Sequence, residues 1–120
     1  MRAVEIDPVA KTVTEINLKQ NPNKTLAEIY HHIGCECIEI VYIDEEMVLI
    51  CDESGRLKEF KGAFTFIGSD MVIAGKALVL GAKNEDLRGL KEHVRSFEMM
   101  TEWLPPEEVP PPVHRIFSIG

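Results

Sequence analysis

Two β-prone runs, CIEIVYI (37–43) and MVLIC (47–51), are separated only by Asp44-Glu45-Glu46. No other feature constrains the fold as much. β-Branched and aromatic side chains suit a pleated surface, and a short polar gap suits a hairpin loop. The pair therefore predicts two antiparallel strands. With residues 44–46 as the loop, Glu39 falls opposite Cys51, because loop length fixes hairpin register. One face of the hairpin then carries Cys37, Glu39, Val41, Leu49 and Cys51. Both runs are apolar at nearly every position, which predicts central strands buried on both faces. Glu39 is the odd polar member. It either serves a cleft or, as such residues more often do, reaches water near a strand edge.

The flanking sequence supplies further elements. Ala3–Ile6 and Thr12–Leu18 read as strands joined by an Asp7-Pro8 turn, since proline presets the φ of a turn. Asn21-Pro22-Asn23 breaks the chain. Thr25 and Glu28 have the spacing of a capping box, and Leu26, Ile29, Tyr30 and Ile33 then make one apolar helical stripe. Gly34 stands where a left-handed residue ends a helix. Ser54-Gly55 predicts a turn into a strand at Arg56–Phe60, making a meander of residues 37–60. Phe64–Ile67, Met71–Ile73 and Lys76–Leu80 read as further strands. Asn84 is placed to cap a last helix, with Leu87, Leu90, Val94, Phe97 and Leu104 as its stripe and Pro105-Pro106 as its end.

The expected fold class is α+β, a mainly antiparallel sheet of about five or six strands with two helices packed on it. Residues 1–104 are expected to form that single domain. Residues 105–120 read as a tail, because 105–112 hold five of the seven prolines and favour an extended spacer. The tail closes on Val113, Ile116, Phe117 and Ile119, expected to dock on a sheet edge of this chain or of a neighbouring subunit.

HHIGCEC (31–37) is the most chemically suggestive stretch. Structural zinc needs four Cys or His ligands, usually as two spaced pairs. Here the candidates are crowded together and no second half exists. Helix-ending chemistry explains them instead: His31 and His32 favour the negative end of the helix dipole, Gly34 caps, and Cys37 begins a strand as a small buried hydrophobe. No metal is expected, and no cofactor. Cys37 lies diagonal to Cys51, too far for a disulfide. Gly75-Lys76 lacks the remainder of a phosphate-binding loop, and the Asp44–Glu46 run lacks the alternation of a calcium loop. Without a nucleophile, base and orienting group, no enzyme is expected.

The formal net charge is −7. That sign argues against direct nucleic-acid binding, which depends on cations that neutralise phosphates, and against an anionic membrane surface. It suits occupation of a basic site on another protein. Three cysteines, and an N-terminus without the apolar core of a secretory signal, predict a cytoplasmic protein.

Ile6-Asp7-Pro8, Thr12–Ile16, Ile38–Val41, Glu53–Lys58 and Gly75–Gly81 together resemble the small bacterial and phage domain of unknown function 3846. The resemblance covers about residues 1–82. It implies a phage, plasmid or bacterial setting and assigns no catalytic residue. The functional expectation is a non-enzymatic accessory protein of a phage or other mobile element. It would bind a protein partner, such as a basic nucleic-acid-binding protein, and inhibit a host defence or nucleic-acid enzyme through its acidic surface. The partner-contact candidates are Asp44, Glu45, Glu46, Val113, Ile116, Phe117 and Ile119. The alternatives are a self-assembling structural protein, which would form a homo-oligomer, and a module for a small ligand or nucleotide using Glu39, His31 or His32.

Overall fold

The computed structural model describes residues 1–109, apart from positions 58 and 85. Its largest element is a six-stranded antiparallel sheet. Strands β1 (Arg2–Asp7) and β2 (Thr12–Asn17) form the first hairpin. The Asp7 carboxylate closes its turn by accepting from the Val9 and Ala10 amides at 3.0 and 3.1 Å. Helix α1 (Pro22–Ile33) follows, then the hairpin of β3 (Ile38–Tyr42) and β4 (Met47–Asp52). After β5 (Ala63–Phe66) and β6 (Ile73–Ala74), strand β7 (Ala77–Lys83) runs through the middle of the large sheet. The main order is β2-β1-β7-β4-β3, with β8 (Asp86–Arg88) also paired to β7. Helix α2 (Val94–Met100) leads into β9 (Thr101–Leu104), and β6-β5-β9 make a second sheet.

Alternation across the strands sorts the core into two layers. Ala3, Val48, Ile50, Leu78, Leu80 and Ala82 point to the face covered by α1, where Ile29 is fully buried. Val4, Ile6, Leu49, Cys51, Ala77 and Val79 point the other way, into a layer completed by Phe64, Phe66 and Phe97. In that layer Phe66 lies 5.7 Å from Phe64 and 6.5 Å from Phe97 between ring centroids. The α+β class is as expected. Both faces of the large sheet are covered, one by α1 and the other by the small sheet together with α2.

Local differences have physical causes. Helix α1 begins three residues before the expected capping box. Asn21 is the cap, its side chain accepting from the Asn23 and Lys24 amides, and Pro22 takes the first helical position, where a missing N–H is harmless. The Thr25 hydroxyl instead donates to the Lys19 carbonyl, and the Glu28 carboxylate accepts from the Lys19 amide at 2.7 Å. The expected helix end holds: Gly34 has φ 74° and donates to the Tyr30 carbonyl.

The expected strand at Arg56–Phe60 is replaced by a 3-10 turn at Gly55–Leu57. A Cβ on Gly55 would stand 2.7 Å from the Ala74 carbonyl oxygen, so the backbone is pressed against β6 there. The expected long helix from Asn84 is likewise replaced. Asn84 takes a left-handed φ of 52° in the β7–β8 turn, and only Val94–Met100 is helical. Beyond β9, Pro106–Glu108 form a 3-10 turn inside the expected extended spacer. Val113, Ile116, Phe117 and Ile119 lie outside the described residues.

Candidate functional site

The β3–β4 hairpin has the register expected from its loop. Glu39 pairs with Cys51 and Val41 with Leu49. The Asp44 carboxylate folds back to accept from the Glu46 and Met47 amides at 2.7 and 2.9 Å, which fixes the tip. Of the two strands only β4 is central, with Val48, Leu49 and Ile50 almost wholly buried. β3 ends the sheet order, against the expectation that both strands are central.

The phase of pairing decides what that edge offers. The Ile43 amide donates to Met47, and the Glu53 amide donates to Cys37. Hydrogen-bonded and non-bonded pairs alternate in an antiparallel ladder. The odd-numbered positions of β3 therefore spend their backbone groups on β4, while Ile38, Ile40 and Tyr42 turn theirs outward. These three side chains lie on the α1 face, yet Ile40 is 48% and Tyr42 60% exposed. The helix does not reach over them.

The charge around this edge is one-sided. Residues 25–55 contain eight carboxylates and no Lys or Arg, while the remainder of the chain has thirteen cations and twelve carboxylates. The whole net charge thus arises in the segment that builds most of α1 and all of β3 and β4. Glu36, Glu39, Glu45, Glu46 and Glu53 are all exposed. Glu45 and Glu46 line a cleft of about 440 Å³ that also carries Lys83, Arg88 and Lys91, so the loop faces cations of the same chain. Glu36, Glu39 and Glu53 lie outside that cleft; Glu39 and Glu53, with Asp52, share a smaller cleft with one cation, Arg56, so this part of the edge is the more one-sided. Sequence reasoning points to the loop carboxylates and misses Glu36, Glu53, Ile40 and Tyr42. The run without Lys or Arg was readable from sequence, whereas the edge position of β3 was not.

Beneath the edge lies a smaller cleft of about 170 Å³, lined by Glu39, Cys51, Asp52, Arg56 and Ile73 among others. The Cys51 thiol is pushed up to about 12, by burial first and then by the negative charges of Glu39 and Asp52 and by Cys35. It stays protonated at neutral pH, and nucleophilic chemistry needs the thiolate. Cys37 is exposed, contrary to its expected burial, because β3 starts one residue later at Ile38.

At the end of α1 the two histidines separate. His32 Nδ1 lies 3.2 Å from Glu5, whose other carboxylate oxygen is 3.7 Å from Lys76 Nζ. The His31 ring stands edge-on to that of His32, with centroids 6.2 Å apart. The His32–Glu5 contact ties the helix end to β1. Among the described residues no three His, Cys, Asp or Glu side chains gather to hold a metal ion, and no helix is long and apolar enough to cross a membrane.

Taken together these features define a small α+β domain with two sheets and an acidic edge that is open among the described residues. Its sequence matches the family model described as Domain of unknown function (DUF3846) over residues 1–103, and the chain belongs to that family. The match extends past the segment expected from the resemblance and takes in α2 and nearly all of β9. No curated protein and no solved structure matches the chain.

Proposed function

We propose that this domain is a non-enzymatic accessory protein that acts by binding a basic protein partner. The observation that carries the reading is the segregation of charge: eight carboxylates and no Lys or Arg in residues 25–55, with near balance elsewhere. A one-signed surface steers an oppositely charged partner into encounter and repels nucleic acid and copies of itself. The setting we propose is the cytoplasm of a cell carrying a phage or other mobile element. There, covering the basic site of a host defence or nucleic-acid enzyme would inhibit it. Self-assembly through this edge is disfavoured, because two copies would bring Glu36, Glu39 and Glu53 against like charges.

The test is retention of proteins from a host lysate on the immobilised wild-type domain and on a Glu36→Lys/Glu39→Lys/Glu53→Lys variant. The expected result is a basic protein held at low salt, released at about 1 M salt, where the screening length is about 3 Å, and absent from the variant. A partner held equally by both proteins at both salt concentrations would overturn the reading.

A further inference from the structure

We propose that the outer edge of β3 takes an extended, basic segment of the partner as an added strand. This rests on the reading of the domain as a binder of basic proteins, and it specifies where and how the partner is held.

Three observations converge on the edge. Among the described residues β3 is the last strand of the large sheet, and the pairing phase set by the Ile43–Met47 and Glu53–Cys37 bonds turns the backbone groups of Ile38, Ile40 and Tyr42 outward. On the same residues, Ile40 and Tyr42 expose their side chains on the face that α1 leaves bare. An incoming strand would therefore find backbone donors and acceptors, with apolar ground for alternate side chains on one face. This is the chemistry of β-addition.

Natural sheets commonly protect such an edge with charged side chains, proline, a bulge or a covering element. β3 contains no lysine or proline, and all five residues pair in unbroken register with β4. Its one charge, Glu39, guards the edge against like-charged strands and leaves it open to a basic one. The opposite edge differs. On β2, Glu15 is held by the Arg2 guanidinium, and the strand is exposed only at polar positions, with Val13 and Ile16 half-buried.

Charge selects the occupant. Glu39 lies on β3 itself, with Glu36 just before it and Glu53 beside its start. A second copy paired through its own β3 edge, an acidic peptide or a nucleic acid would each meet like charge there. A strand alternating cations with apolar residues matches both requirements: its apolar side chains cover Ile40 and Tyr42, and its cations reach the Glu39 side.

The probe is a synthetic peptide of alternating Lys and Val, compared with the same peptide N-methylated at every backbone amide. The second peptide keeps the charge but can donate no strand bond from either edge. Using the intact wild-type protein avoids any question of misfolding. Binding is followed by amide hydrogen exchange and by titration at low salt. The expected result is slowed exchange at the Ile40 and Tyr42 amides, with affinity at least about tenfold weaker for the methylated peptide, a difference of about 1.4 kcal/mol. Equal binding of both peptides, or protection confined to other edges, would overturn β-addition at β3 while leaving the acidic-surface reading intact. If neither peptide binds at low salt, the reading of the domain as a binder of basic segments falls as well, and this inference with it.

Discussion

Glu39 sits directly opposite Cys51 across the β3–β4 pair, an exposed carboxylate facing a thiol that is only 4% exposed. Burial is the main reason the thiol is pushed up to about 12, and the carboxylate adds to it. In the native protein at mildly alkaline pH, an alkylating reagent should therefore modify exposed Cys37 and spare Cys51 until the chain unfolds. Peptide mapping after labelling checks this. Glu39→Gln should leave Cys51 protected, because desolvation remains. Rapid native labelling of Cys51 would show that the hairpin does not cover it.

The same thiol makes stability depend on pH. Unfolding returns Cys51 to its ordinary value of 9.0, whereas the folded state keeps the proton up to about 12. The unfolded chain then binds fewer protons in this window, and stability falls as pH rises. The contribution is fully present below about 9 and is lost between there and about 12. Urea unfolding across this range should show a steeper decline for wild type than for Cys51→Ala. Parallel curves would refute the assignment.

Asn21, and not Thr25, caps α1. Asn21→Ala should cost about 1 kcal/mol, the usual loss for removing a cap that accepts backbone amides, and Asn21→Gly only a few tenths. Equilibrium denaturation measures both. An unchanged midpoint for Asn21→Ala would mean that the helix start is held by other contacts.

Gly62 joins the two sheets at close range. A Cβ there would lie 2.7 Å from the Pro8 carbonyl oxygen and 2.9 Å from its carbon. Both are backbone atoms of the β1–β2 turn and cannot swing aside. Gly62→Ala should destabilise the fold by about 1–3 kcal/mol, as overpacking does. Gly68→Ala, at a site with nothing within 4 Å but a φ of 85°, should instead show only backbone strain. Thermal melts of the two variants distinguish the mechanisms.

Much of this fold was legible from local chemistry. The three-residue loop at Asp44–Glu46 gave the Glu39–Cys51 register, and Gly34 marked the helix end, because both depend on near neighbours in sequence. After Asn84 local chemistry misleads, because Leu87, Leu90, Val94 and Phe97 have helical spacing. In the structure they do not share a face: Leu87 packs on the α1 side of the large sheet, while Leu90, Val94 and Phe97 pack on the other. A stripe divided between two core layers cannot be one helix, and sequence spacing carries no information about which layer a residue enters. The edge position of β3 was hidden for a related reason. CIEIVYI is as apolar as a central strand, and only the tertiary order reveals that α1 stops short of Ile40 and Tyr42. The site was therefore half legible, its charge in the sequence and its open edge only in the fold.

In the proposed function, Glu36, Glu39 and Glu53 form the heart of the partner-binding surface. Glu36, Glu39 and Glu53 are exposed, so replacing all three with glutamine should leave the fold intact, as surface substitutions generally do. The most direct measurement is calorimetric titration of the alternating Lys–Val peptide into wild type and this triple variant at low and high salt. Binding to wild type should be salt-sensitive, and at low salt it should be weakened at least about tenfold in the variant. Equal affinity for wild type and a folded triple variant would contradict it.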